Sequence, residues 1–177
     1  MSTMTAFLRG RARASRRGQT LVEFALVLPV LVLMLVGTLD LGRVVLANDT
    51  VGAATREAAR YAIVHGSMAT DLCPAGPPEP DSYVPPAPTA DCPHLAPSKE
   101  AIREVARRWA MSAGAPVVIE VCYGDGCSGD DDADGATNKR GTPVTVTVRS
   151  TVNMAAGGLI GFSGFGVVST STMRVNN

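Results

Sequence analysis

The side chains in this 177-residue chain that could do chemistry fall into three groups. One carboxylate, Glu23, stands near the start of the apolar run "LVEFALVLPVLVLMLVG". The other two groups are four cysteines and a cluster of aspartates near residue 130. A charge at the centre of a bilayer costs about 2.5–3.5 kcal/mol and less toward its edge, so a carboxylate in this run usually marks a function.

The aspartate cluster could bind a cation. Asp130, Asp132 and Asp134 match the first half of a D-x-D-x-D-G calcium loop, but the twelfth position, where such a loop has a bidentate glutamate, is Gly141. A solvated acidic turn is therefore the favoured interpretation, and a weak calcium site is the alternative. No other metal and no organic cofactor is predicted.

The apolar run is long enough to cross a membrane. No residue from Phe24 to Leu39 is ionisable, and counting from Gln19 gives about 20 residues, the number that spans a hydrocarbon core. Five arginines and no acidic residue precede Gly18, so the positive-inside rule places the N-terminus in the cytoplasm and the rest of the chain across the membrane. A cleaved secretory signal has a shorter apolar region, and an ordinary signal anchor would leave Glu23 unexplained.

The start of the run resembles a class III, prepilin-type signal sequence. A basic leader ends in Gly18, four residues follow, and Glu23 and Phe24 open an apolar helix. The longer string "GQTLVEFALVLPVLVLMLVGTLDLGRVV" resembles the TadE family of the Flp (tight adherence, Tad) pilus system, and "STSTMRV" near the C-terminus resembles it more weakly. The resemblance implies cleavage by a prepilin peptidase between Gly18 and Gln19.

The resemblance implies a function in pilus assembly. The amine freed on Gln19 would meet the Glu23 carboxylate of a neighbouring subunit inside an apolar bundle, because a buried charge needs a partner. The alternative for Glu23 is a side chain that extends to the lipid headgroups. A minor pilin or pseudopilin of this kind has the prepilin peptidase, other Tad pilus subunits, the assembly platform and the membrane as partners, and it contributes to cell adhesion.

The cysteines are expected to form two disulfides, because the far side of the membrane is oxidising. Cys73 and Cys92 bracket the proline-rich segment "DLCPAGPPEPDSYVPPAPTADCPHLAP", which reads as an extended loop. Cys122 and Cys127 lie close together at the start of the acidic segment. Four cysteines allow three connectivities, and spacing alone favours these two pairs.

The remaining elements predict an α+β fold. The membrane helix should continue to about Gly66, and "PSKEAIREVARRWAMSAG" has the apolar spacing of a second helix with Trp109 as a core anchor. The segments "PVVIEVCYG", "TPVTVTVRSTV" and "GVVSTSTMRV" alternate as three strands of an antiparallel sheet. The predicted organisation is a leader (1–18), a transmembrane helix (19–43), an exported continuation (44–66), a proline-rich loop (67–97) and a small α+β head (98–177).

Composition and motifs argue against two other classes of protein. Formal net charge is zero overall, and the part after Gly18 carries eleven basic against sixteen acidic residues, which does not suit a nucleic-acid binder. The only histidines are His65 and His94, and no nucleophile or phosphate-binding motif accompanies them, so no enzyme is predicted. The alternative function is an uncleaved, membrane-anchored binding module of the envelope, with a calcium-dependent variant that uses the acidic loop.

Overall fold

The computed structural model describes residues 12–66, 75–77, 99–111, 116–157, 161 and 164–176, with side chains from residue 18 onward. Its elements are two helices and three strands: α1 (Ala12–Val64), α2 (Lys99–Ala110), β1 (Val117–Tyr123), β2 (Pro143–Val152) and β3 (Phe165–Arg174). The strands form one antiparallel sheet in the order β1-β2-β3. The predicted α+β fold, with a long apolar N-terminal helix, a second helix and three antiparallel strands, is confirmed.

Helix α1 has 53 residues, which corresponds to a length of about 80 Å at 1.5 Å per residue. It continues through Pro29 and ends at Val64, two residues before the predicted stop at Gly66. Its first half exposes large apolar side chains, whereas its second half buries a row of mostly small residues: Ala47, Val51, Ala54, Ala58, Ala59 and Ala62. Small side chains let a helix approach a sheet closely, so the second half of α1 forms part of the head's core.

The central strand β2 supplies the other side of that core. Its side chains alternate, with Val144, Val146 and Val148 fully buried against the helices. On the opposite face, Thr145 and Thr147 hydrogen-bond to threonines of β3 at 2.9 and 3.1 Å. This period of two is the pattern expected of a strand with one buried face.

Helix α2 packs against the core through Ile102, Ala106 and Ala110. The prediction that Trp109 anchors the core is wrong, because its side chain is 51% exposed. Each four-residue step along a helix rotates the buried stripe by about 40°, since one turn takes 3.6 residues. By the last turn the stripe has therefore moved to Ala110 and left Trp109 at its edge.

The sheet and α1 are joined at both ends of the head by hydrogen bonds. At the end nearer the apolar half of α1, Asp40 accepts bonds from the connection between β2 and β3. At the far end, the Asn176 N–H donates to the Ile63 carbonyl at 3.1 Å. The β2–β3 connection therefore meets α1 at the level of Asp40, and the segment that follows β3 meets it at the level of Ile63.

Candidate assembly site on the N-terminal helix

The predicted cleavage site lies on the exposed surface of α1. Gly18 and Gln19 are both exposed, and an added Cβ at Gly18 would have no other atom within 4 Å. Gly18 is therefore not required by packing within the described part of the chain. A larger residue fits there without a clash, so its effect on processing can be separated from any effect on folding.

Glu23 lies one helical turn after Gln19. The Gln19 side-chain amide donates to Glu23 Oε1 at 3.3 Å, which is a long and exposed hydrogen bond. Residues four apart share one face of a helix, so the backbone nitrogen of Gln19 and the Glu23 carboxylate belong to the same side of α1. Phe24 beside them is exposed as well.

The helix after Glu23 presents apolar side chains on all sides. The most apolar 18-residue window in Gly18–Val64 has a mean hydropathy of 2.5, and none of that window is buried within the protein. Among the described residues, α1 is the one helix that is long and apolar enough to cross a membrane. This surface suits lipid or other apolar helices.

Asp40, at the end of the apolar run, has a site that sequence reasoning missed. Its carboxylate is 3% exposed and accepts hydrogen bonds from the Ala155 N–H at 3.1 Å and the Ala156 N–H at 2.7 Å. Arg43, mostly exposed, lies 3.8 Å from the same carboxylate. The sequence offered two separate signals, a lone acid at the end of the apolar run and a segment of small residues around Ala155. Nothing in the sequence connects them, because they are 115 positions apart.

The acidic loop, residues 124–142 between β1 and β2, covers the free edge of the sheet. Strand β1 is an edge strand, and its outward N–H groups at Val121 and Tyr123 donate to Asp130 Oδ1 at 2.9 Å and to Asp132 Oδ1 at 2.8 Å. The Ala133 N–H returns a bond to the Tyr123 carbonyl at 2.8 Å. The loop thus satisfies backbone groups that an unprotected strand edge would expose.

Two cations of α2 complete this loop. Lys99 Nζ lies 2.8 Å from Asp132 Oδ1, and Arg103 pairs with Asp130. Burial of Asp130 disfavours its ionised form, but the hydrogen bonds from Arg103 and from the Val121 N–H outweigh that effect and lower the pKa of the Asp130 carboxyl. The bond to Asp130 in turn raises the pKa of Arg103.

The weak calcium candidate consists of Asp130, Asp132 and Asp134. In the structure the first two carboxylates bind α2 and the β1 edge, and Asp134 is exposed. Within the described ranges, no group of three or more histidine, cysteine or acidic side chains is arranged to hold a metal ion.

Cys122, Cys127 and His65 lie apart from the N-terminal site. Cys122 and Cys127 are joined as a disulfide at the turn after β1, which is the predicted local pair. Cys73, Cys92 and His94 lie outside the described residues. His65 stacks on Tyr61 at the end of α1, with ring centroids 3.8 Å apart.

Most of the N-terminal helix matches the model of a known protein family. Residues 18–60 match the family model described as TadE-like protein, so the predicted resemblance is confirmed over that segment. The match begins at the predicted cleavage site and contains Glu23 and Asp40. No curated protein and no solved structure gives a significant match. The match covers 43 of the 177 residues, all of them on α1, and the apolar helix is consistent with membrane anchoring.

Proposed function

Because the chain is TadE-like from Gly18 to Arg60, we propose that it is a minor pilin or pseudopilin that takes part in the assembly of a Flp-type, tight adherence pilus. A prepilin peptidase removes the basic leader between Gly18 and Gln19, on the cytoplasmic side of the membrane. The mature chain crosses the membrane once, with its head on the extracytoplasmic side, and joins other Tad subunits at the assembly platform. No covalent chemistry is assigned to the chain itself.

In this proposal, Glu23 acts through its negative charge. Cleavage creates a positive amine on Gln19, and within an apolar bundle that charge needs a negative partner. The Glu23 carboxylate of a neighbouring subunit supplies it and fixes the axial register between the two helices. In the precursor, the carboxylate accepts a long hydrogen bond from the Gln19 amide at 3.3 Å and is exposed, so it is accessible to a stronger partner.

The observation that carries the proposal is the position of Gly18 and Glu23 on one exposed helix at the start of the TadE-like segment. The alternative, an uncleaved envelope binding module, needs the same anchor but no cleavage and no role for Glu23. Leader removal therefore distinguishes the two functions.

The test is peptide mass spectrometry of the N-terminus of the membrane-extracted protein from its native host. We expect a mature chain that begins at Gln19, loss of that end in Gly18→Val, and normal processing in Gly37→Val. Gly37 is the matched control because it lies on the same helix and an added Cβ there also has no other atom within 4 Å. An intact leader in the wild-type protein would contradict the proposal and favour the anchored module.

A second pair of variants tests the assembly step. Glu23→Gln should leave the leader cleavable but remove the partner for the Gln19 amine, so the processed protein should no longer copurify with pilus subunits. Asp49→Asn removes an exposed carboxylate elsewhere on α1 and should behave like the wild type. Equal copurification of both variants would exclude the charge pair as the source of register.

A further inference from the structure

A groove of about 350 Å³ lies between α1 and the start of β3. Its walls are Val44, Val45 and Asn48 of α1 and residues 165–168 of β3. Two large apolar side chains in these walls remain half exposed: Val45 at 53% and Phe165 at 46%. Phe165 pairs with Val152, so its side chain is on the core face of the sheet, toward α1. We refer to Val45 and Phe165 as the junction patch.

The junction patch is continuous with the exposed apolar surface of the N-terminal helix. Leu41, one turn before Val45, is also exposed, and the apolar run ends two residues before it, at Leu39. The patch is therefore the upper end of a surface that starts in the candidate membrane span. A contiguous apolar surface on a folded head usually marks a contact with a membrane or another protein.

The length of the helix places the patch close to the lipid headgroups. Twenty residues counted from Gln19 end at Thr38, and twenty counted from Phe24 end at Arg43. At 1.5 Å per residue, Val45 then lies about 3 to 10 Å beyond the hydrocarbon core. The headgroup region adds about 5 to 8 Å on each side of that core, so the patch falls within or just above the headgroups.

We propose that the junction patch binds the headgroup layer of the phospholipid bilayer and holds the head against the membrane surface. An aromatic ring beside a branched aliphatic side chain suits the boundary between acyl chains and headgroups, where burial of apolar surface is favourable without full insertion. Asp40 supports this position, because its bonds to the Ala155 and Ala156 N–H groups fix the connection that precedes β3 against α1 at the same level. The inference needs membrane anchoring but not leader cleavage.

The test uses tryptophan fluorescence of the full chain in vesicles of phosphatidylcholine, with and without bromine on the acyl chains near the glycerol. The chain has one tryptophan, so Trp109→Phe provides a dark background. Phe165→Trp reports on the patch, and Thr172→Trp reports on an exposed position of β3 about 23 Å farther along the strand at 3.3 Å per residue. Leu31→Trp, on the exposed apolar helix, reports on insertion.

We expect bromolipid to reduce the emission of Phe165→Trp and Leu31→Trp strongly and that of Thr172→Trp little. Quenching of Leu31→Trp with equal, weak quenching of Phe165→Trp and Thr172→Trp would overturn this inference and leave membrane anchoring intact. Blue-shifted but unquenched emission from Phe165→Trp would also overturn it, because the tryptophan would then be buried in protein. No loss at Leu31→Trp would contradict anchoring itself, on which the inference and the proposed function both depend.

Discussion

Replacing Asp40 with alanine should loosen the junction between α1 and the β2–β3 connection. The carboxylate is 3% exposed, and each of its oxygens accepts one backbone bond, from Ala155 at 3.1 Å and from Ala156 at 2.7 Å. Removing it leaves two N–H groups without their partner in a site that water reaches poorly. Those N–H groups belong to the connection between β2 and β3.

The magnitude follows from the two bonds. A hydrogen bond to a charged group contributes about 1.5–3 kcal/mol, so two contribute about 3–6 kcal/mol before any recovery by water. With partial recovery we expect a loss of about 3 kcal/mol, which is on the order of 100-fold in an opening equilibrium at 1.4 kcal/mol per tenfold. Arg43→Ala should cost less than about 1 kcal/mol, because an ion pair with an exposed partner is worth little.

Hydrogen–deuterium exchange with mass spectrometry, on the full chain in detergent micelles, measures this directly. The peptide that contains residues 153–157 should exchange on the order of 100-fold faster in Asp40→Ala, and Asp40→Asn should fall between that variant and the wild type because its amide keeps one acceptor oxygen. Arg43→Ala should remain near the wild type. Unchanged exchange of 153–157 in Asp40→Ala would refute the reasoning, since the two bonds would then carry no stability.

Three further predictions concern the head. Asp130→Ala should lower the free energy of unfolding by about 1–2 kcal/mol, because the Val121 N–H and Arg103 both lose an acceptor; urea denaturation measures it, and an unchanged midpoint would contradict edge capping. Glu100, through its bonds from Arg107 and Arg103, and Asp130 both have lowered pKa values. Their stabilising contribution is therefore complete above the unfolded-state pKa of about 4 and is lost as the pH falls through the folded-state pKa values. Thermal melts should show a lower midpoint at pH 3 than at pH 6. An equal midpoint at the two pH values would contradict this prediction. Gly76→Ala should destabilise the head by several kcal/mol as judged from thermal melts, because Gly76 has φ 110° and an added Cβ would lie 2.7 Å from the Tyr123 ring; a variant that melts like the wild type would show that the loop can move aside.

Local patterns in the sequence were sufficient to predict the helices and strands and the TadE-like resemblance of residues 18–60. The alternation of Val144, Val146 and Val148 with threonines specifies a strand with one buried face, and burial confirms it. The spacing from Gly18 to Glu23 and the apolar run after it depend only on neighbouring residues, and the TadE-like match covers them. Such signals can be read without knowing which elements pack together.

Features that depend on packing between distant segments were not predicted. The partner of Asp40 lies more than a hundred residues away, so the carboxylate read only as the end of an apolar run. The acidic loop read as a solvated turn or a calcium site, whereas Asp130 and Asp132 cap β1, an edge strand only because of the strand order. The prediction that Trp109 is buried was wrong for a related reason, because the positions of α1 and the sheet determine which face of α2 is buried.

The two-point attachment of the sheet to α1 limits how the head can turn. Asp40 and Ile63 are 23 positions apart, which is about 35 Å along the helix. Two attachments alone would still allow rotation about the line that joins them, but the packing of Val51, Ala58 and Ala62 of α1 into the core removes that freedom and fixes the azimuth of the head around the helix axis. Whatever rotates or lifts α1, in a membrane or in a fibre, therefore carries the head through the same angle and determines which of its surfaces faces outward.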